Sequence, residues 1–416
     1  MSNMFIEQTG VAKYIFFRYT KRYMKVCLIT NLYPPYVRGG AEQVVAKTVR
    51  ALRSEGHTVV VITSTPEKAE KSEEDGVLIY RLHPKNVFFY TDAHKHHALV
   101  RLTWHLINMF HWGVMQDIKK ILDEVKPDIV HTHNLMGLSF LIPHAIKRLG
   151  IRHLHTVHDV QLVEPSGIIL KQKENSWRYK GFPVKIYSWL TKWLFGSPNV
   201  VISPSQFLLK FYHERGFFHA SKQVVLRNPL TVDVQEVVKT ERMNGPVRFL
   251  YLGQIEYHKG ILFLLETFLQ AKELNAELHI VGDGSCFKEV VDMVREDSRV
   301  RVYGRMDRKT LPQLFEKIDM AIVPSLCYEN SPTVIFESFA FGVPVLASNI
   351  EGVAELIKEG ENGITFIAGN TESLQEKMQW AVDNQEIVSQ MADIARQSVE
   401  GLSADEYMEN LVRLYF

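Results

Sequence analysis

Cysteine is nearly missing from this chain of 416 residues, with only Cys27, Cys286 and Cys327, far apart. Three scattered thiols build neither a disulfide framework nor a thiolate metal site, which fits a reducing compartment. An excess of one charge is missing too. The formal net charge is +1, so no global field draws the chain to nucleic acid. No uninterrupted apolar run approaches the roughly 18 residues that cross a bilayer. Near the start, Tyr14-Ile15-Phe16-Phe17 is closely flanked by Lys13 and Arg18. That run falls short of the ~7–15 apolar residues of a secretory leader. Residues 1–23 read as an extension without a core role, from an upstream start, or equally as a small surface element. Two phosphate-binding fingerprints are incomplete. Leu252-Gly253-Gln254-Ile255-Glu256-Tyr257-His258-Lys259-Gly260 lacks the glycine spacing of a Walker A loop, and Val281-Gly282-Asp283-Gly284 lacks a third glycine. His131-Thr132-His133 and His155-Thr156-Val157-His158 have no cysteine or carboxylate cluster at ligand spacing, so no metal is expected.

What is present is the balance of a folded chain, 46% hydrophobic and 23% charged. The length exceeds one ordinary core and predicts two domains. Residues 24–30 read as a buried parallel strand. A turn through Gly39-Gly40 leads to a helix over 41–56, with Val44, Val45, Thr48, Val49 and Leu52 at helical spacing. A strand at 58–63 completes a βαβ unit. The alternation continues with strands at 128–132, 153–157, 200–203 and 224–226, and helices at 118–125, 139–149 and 205–214. Residues 231–246 are polar, end in Asn244-Gly245-Pro246, and read as a linker. Strands then follow at 248–252, 277–281, 300–303, 320–324 and 344–348, with helices at 260–274, 287–296, 311–317 and 332–341. The predicted class is α/β, with two doubly wound, Rossmann-like parallel sheets, over 24–240 and 241–401.

The most informative stretch is Glu329-Asn330-Ser331-Pro332-Thr333-Val334-Ile335-Phe336-Glu337. Ser331 suits an N-cap and Pro332 the first helical position. The amides of Thr333 and Val334 then sit at the positive end of the helix dipole, a ready anion site. The strand before them leads to the carboxyl edge of the sheet, where open α/β folds bind ligands. Glu337 falls among Val334, Ile335, Phe336, Phe339 and Phe341. Once buried it needs partners, and either ligand hydroxyls or a protein group supplies them. Lys259 is either a diphosphate ligand or a solvated side chain. Gly39-Gly40 lets a phosphate approach the first helix, though a plain βα turn also uses glycine. His158 is either a polar group facing the cleft or a satisfied core histidine. Segments 86–112 and 176–195 differ in texture from the rest. The second interleaves Lys180, Lys185 and Lys192 with Trp177, Tyr187, Trp189 and Trp193. It reads as an interfacial membrane helix, an acceptor site, or a helix packed on the sheet.

Taken in order, these residues resemble the family-4 glycosyltransferases of the GT-B fold, from about Met24 to the end. The resemblance rests on Tyr33-Pro34-Pro35 with Gly39-Gly40 and Glu42, on Pro127 to His133, on His158-Asp159, and on Ser203-Pro204-Ser205. In the second half it rests on Lys259-Gly260, Val281 to Gly284, the pair Glu329 and Glu337, and Gly342 to Val345. It implies a donor held mainly by the second domain. Glu337 would bind the ribose hydroxyls and Glu329 those of the transferred sugar. Lys259 and the amides of Gly40, Thr333 and Val334 would hold the diphosphate. The base would sit near Gly304-Arg305, and Gly39, Gln254, Gly282, Asn330 and Ser331 would complete the donor set. His158, Lys259 and Glu329 would be the catalytic residues. One departure is plain: Gln254 stands where the family usually has an arginine, which weakens the phosphate clamp unless Arg38 or another cation compensates.

The implied activity is retaining transfer of a sugar from a nucleotide-diphosphate sugar to a glycan, lipid-linked or other hydroxyl acceptor, with no cofactor and no metal. Synthesis of cell-surface polysaccharide or glycolipid is the expected setting. The expected location is cytoplasmic, with peripheral contact at the inner face of the plasma membrane left open and no nucleic-acid partner. A nucleotide-sugar epimerase on the same fold and a non-catalytic partner of a glycan assembly complex stand as alternatives. The resemblance also implies that a last helix, over about 402–416, crosses back onto the first domain.

Overall fold

The computed structural model describes residues 23–232, 245–307 and 309–416, apart from the side chain of His94. The expected extension over 1–23 therefore lies outside the described residues, save Tyr23. The first sheet contains β1 (Lys25–Ile29), β2 (Thr58–Ser64), β3 (Glu70–Glu74), β4 (Val77–Leu82), β5 (Ile129–Thr132), β6 (Arg152–Thr156), β7 (Val200–Ser203) and β8 (Lys222–Val225). Their order is β3-β4-β2-β1-β5-β6-β7-β8, parallel throughout except between β3 and β4. Its helices are α1 (Gly40–Ser54), α2 (Ala98–Met109), α3 (Trp112–Val125), α4 (Ile142–Arg148), the single turn α5 (Trp177–Lys180), α6 (Phe182–Phe195) and α7 (Gln206–Glu214). Strands β1, β2, β5 and β7 are buried on both faces because helices cover both. On one face Cys27, Ile29, Val130 and Val201 pack with residues of α2, α3, α4, α6 and α7. On the other, Val26, Leu28, Val61 and Ile202 pack with α1.

The second sheet is wholly parallel. It contains β9 (Val247–Leu252), β10 (Ala276–Val281), β11 (Val300–Gly304), β12 (Met320–Val323), β13 (Val345–Ser348) and β14 (Gly363–Phe366), in the order β11-β10-β9-β12-β13-β14. Helices α8 (Ile261–Gln270), α9 (Phe287–Met293), α10 (Leu311–Phe315), α11 (Thr333–Ala340), α12 (Thr371–Asp383) and α13 (Gln385–Gln397) cover it. The final helix, α14 (Ala404–Tyr415), does not cover this sheet. Its Tyr407, Met408, Leu411 and Tyr415 are buried with α1 in the core of the first sheet.

Both sheets reverse their winding beside their first strand, between β1 and β5 and between β9 and β12. At such a point adjacent crossovers leave on opposite faces, and the carboxyl-end loops part to form a crevice. The crevices of the two sheets face one another.

Several boundaries differ from the sequence reading. The helices expected over 139–149 and 260–274 are the shorter α4 and α8, and the strand expected over 224–226 is β8, two residues earlier. The hairpin β3–β4 was not expected, because Glu70-Lys71-Ser72-Glu73-Glu74 is an almost wholly charged edge strand with no apolar alternation. Of the linker expected over 231–246, residues 233–244 lie outside the described residues. Its second residue is not linker: Val232 is buried, with the preceding Leu230, in the core of the second domain.

Candidate active site in the cleft between the sheets

At the β9–β12 crevice, two loops bring together side chains distant in sequence. A 3-10 turn, Tyr257–Lys259, follows β9 and ends at Gly260 with φ of 76°. A side chain there would place Cβ 1.9 Å from the carbonyl oxygen of Pro324. Glycine therefore lets this turn lie against the end of β12, and the Leu326 amide donates to the His258 carbonyl at 3.0 Å. As a result Lys259 Nζ lies 2.6 Å from Glu329 Oε1, which also accepts from Ser325 Oγ at 2.8 Å. Burial works against the charge on Lys259, but the carboxylate of Glu329 outweighs it and holds the amine above its ordinary range. The two residues to which the resemblance gives separate duties are thus hydrogen-bonded to each other.

Helix α11 starts one residue later than expected. Pro332 keeps an extended ψ of 118° and stands at the N-cap, so Thr333 is the first helical residue. Ser331 does not cap the helix, and its hydroxyl is buried without a partner. The loop before it is pinned from outside the helix. Asn330 Nδ2 donates to the His158 carbonyl at 3.1 Å, and Ser205 Oγ bonds Asn330 Oδ1. The amides of Thr333 and Val334 have no acceptor among the described residues. The Thr333 side chain meets the start of α1, where a Cβ on Gly40 would lie 2.9 Å from Thr333 Cγ2. Two helix N-termini, one from each domain, therefore meet across the cleft, and each concentrates positive potential there.

Gln254 spans the same gap. Its Nε2 donates to the Arg38 carbonyl at 2.6 Å, which brings the exposed Arg38 beside the two helix starts. Gly39 donates its amide to Glu42 Oε2 at 2.8 Å, and burial raises the Glu42 carboxyl above its ordinary range. Gly282 has φ of 149°, and a Cβ there would fall 1.8 Å from the Gly253 carbonyl, so the β9 and β10 loops lie in contact. The Gly282 amide donates to the Gly304 carbonyl at 2.9 Å, which adds the end of β11, with exposed Arg305 next to it. Glu337 is buried, and Thr231 Oγ1 donates to its Oε1 at 2.6 Å. Of the two partners left open for it, a protein hydroxyl is present. Sequence reasoning missed Thr231 and Ser325, since a single hydroxyl in a loop carries no signal.

His158 belongs to a cluster at the ends of β5 and β6. Its Nε2 lies 2.9 Å from His133 Nδ1. His133 Nε2 is buried without a partner. A buried N–H without an acceptor is costly, which favours the tautomer with the His133 proton on Nδ1, donating to His158. His158 then carries its own proton on Nδ1. Burial lowers the His158 pKa to about 4, and raises that of Asp159 to about 6 against the opposing hydrogen bond from the Gln161 amide. His131 hydrogen-bonds Tyr415 OH at 3.0 Å and Thr156 Oγ1 at 2.8 Å. Among the described residues no group of three or more His, Cys, Asp or Glu side chains is placed to hold a metal ion.

The family model for Glycosyltransferase Family 4 matches residues 38–234, and that for Glycosyl transferases group 1 matches residues 235–398. A relative in Klebsiella pneumoniae, described as an uncharacterized 42.6 kDa protein in a cps region, is 27% identical over 336 residues, 80% of this chain and 87% of that protein. Sucrose-phosphate synthase from Thermosynechococcus elongatus superposes with a TM-score of 0.73 at 17% identity, over 94% of this chain and 98% of that one. HepE from Anabaena, in complex with UDP, superposes with a TM-score of 0.68 at 17% identity, over 94% and 99%. Two facing parallel-sheet domains of this kind define the GT-B class of glycosyltransferases. Within that class, the chain belongs to the family-4 glycosyltransferases.

Proposed function

We propose that the protein transfers a sugar from a nucleotide-diphosphate sugar to a hydroxyl of a glycan or lipid-linked acceptor, with retention at the anomeric carbon and without a divalent metal. The observation that carries this reading is the meeting of two helix N-termini beside Lys259 and Arg38. As the bond to the anomeric carbon breaks, negative charge develops on the departing diphosphate. Unpaired amides and the Lys259 ammonium, with Arg38 nearby, stabilise it more than they stabilise the ground state. They take the part that a divalent cation plays elsewhere. Glu329 and Glu337 are acceptors suited to sugar and ribose hydroxyls respectively. His158, with Nδ1–H as donor, flanks the same space, and the acceptor hydroxyl attacks from the face the diphosphate leaves, passing its proton to the departing diphosphate. The relative in a cps region and the neighbour in complex with UDP support a polysaccharide or glycolipid setting and a uridine nucleotide as the first donor to try.

The test is the pair Lys259→Ala and Glu329→Ala. Removing one such electrostatic donor lowers kcat by about 100-fold or more. Lys259→Ala is expected to lower kcat to that extent and weaken nucleotide binding. Glu329→Ala is expected to lower kcat while nucleoside-diphosphate affinity stays. Turnover like wild type in both variants, with folding intact, overturns the reading. Full activity after exhaustive chelation with EDTA is expected as well.

A further inference from the structure

Helix α6 carries a surface that the cleft does not use. Its inner face, Tyr187, Thr191, Leu194 and Phe195, is buried in the first core. Its outer face carries Phe182, Ile186, Trp189 and Trp193, exposed by 71%, 42%, 62% and 59%. At 3.6 residues per turn these four fall within an arc of about 60° and run for roughly 16 Å along the helix. Exposed tryptophans are scarce on a surface in water, and four large apolar side chains in one stripe mark an interaction site. Helix α2 packs into the same core through Trp104 and Met109, and leaves Leu99, Leu102 and Leu106 exposed by 79%, 56% and 50%.

The charges around the α6 stripe select its partner. Lys173, Arg178, Lys180 and Lys185 are exposed, and Glu174 is the only acid between positions 171 and 195. That acid is already engaged, accepting from Tyr328 OH at 2.6 Å. An apolar and aromatic stripe with a basic border, in which Arg178 alone of the four cations pairs with an acid among the described residues, Glu164 at 3.9 Å, fits the headgroup boundary of an anionic bilayer, where rings enter the interface and ammonium groups meet lipid phosphates. No helix among the described residues is long and apolar enough to cross a membrane, so the contact is peripheral.

We infer that the outer face of α6, flanked by α5, docks the protein on an anionic lipid surface. The segment before it reaches the active site directly. Leu170 forms a bridge with Cys327, and the Lys171 amide donates to the Leu326 carbonyl at 2.9 Å. Docking therefore holds the Glu329 loop close to the bilayer, where a lipid-linked acceptor would arrive. The lipid contact itself does not depend on the transfer reaction.

Vesicle sedimentation without any sugar donor tests this. The full chain is mixed with vesicles of phosphatidylcholine alone, or containing about three parts in ten phosphatidylglycerol. Binding to the anionic vesicles is expected, at least tenfold stronger than to the neutral ones, and weakened by salt. Phe182→Glu with Trp189→Glu is expected to abolish it, and Lys180→Glu with Lys185→Glu to remove the preference for anionic lipid. All four side chains are exposed, and an unchanged thermal midpoint shows that folding is intact. Wild type left in the supernatant with both vesicle types overturns the inference. So does a concentration-dependent dimer that Trp189→Glu dissociates, since a second copy would then occupy the face.

Discussion

The ion pair of Lys259 with Glu329 changes what each residue does before a donor arrives. Each holds the other in place, and the ammonium keeps donors for a diphosphate that the carboxylate does not use. Gln254 bears on the same charge count. It bonds the Arg38 carbonyl and so holds the Arg38 backbone at the cleft, with the guanidinium over the Tyr90 ring, 5.9 Å from its centroid. A hydrogen bond to a charged group is worth about 1.5–3 kcal/mol and a neutral one about 0.5–1.5. Arg38→Ala is therefore expected to weaken nucleoside-diphosphate binding roughly tenfold, and Gln254→Arg in that background to recover most of the loss. Isothermal titration checks both. An Arg38→Ala variant that binds like wild type removes Arg38 from the site.

At the scale of elements, the ends of β5 and β6 hold an unusual load of imidazole. Burial lowers His131 and His153 to about 3 and His158 to about 4, and pushes His133 and His155 well below the ordinary value. These groups are neutral when folded and charge readily when unfolded. Their stabilisation is full above the unfolded value near 6.5, and is lost as pH falls toward the folded values. Asp159 has the opposite sign: its pKa rises to about 6, so its contribution is lost as pH rises through that value. Five histidines outweigh one carboxyl. Stability is expected to fall between pH 6.5 and 5, by on the order of 1 kcal/mol for each fully buried histidine at pH 5.5. Urea unfolding at stepped pH measures this, and a flat profile refutes it. None of this was legible from His131-Thr132-His133 as a motif, because a strand alternates its side chains and only the packed helices decide which of them lose water.

Across the whole molecule, the two domains hold each other closed by polar contacts and by Tyr328, which packs against Phe207 and Phe211 of the first domain. The Glu355 carboxylate accepts the amides of Gln206 and Phe207 at the start of α7, capping a helix of the other domain. Lys171 pairs with Glu351, and Asn330 bridges to Ser205 and His158. Losing a cap of this kind costs about 0.5–2 kcal/mol. That is enough to shift an open–closed balance several-fold. Glu355→Ala is expected to enlarge the radius of gyration in solution scattering without donor, and to return toward the wild-type value with saturating nucleoside diphosphate. No change of scattering in the variant would mean that other contacts set the closure.

Much of the fold could be read from the sequence, because buried parallel strands and amphipathic helices write their periods into it. The apolar run of β1, the spacing in α1 and the restart after residue 246 each report a local requirement. The Glu329 to Glu337 segment was legible for the same reason: a strand end, a proline and an apolar helix fix an anion-binding helix start within a few residues. The start itself is Thr333 rather than Pro332, whose ψ of 118° keeps it extended. What only the tertiary structure decided are the meetings: Lys259 with Glu329, Gly40 opposite Thr333, Thr231 on Glu337, and His133 behind His158. These partners lie 25 to 293 positions apart. Local periodicity carries no record of such distances, and they are set when two sheets with matching reversal points close on one another.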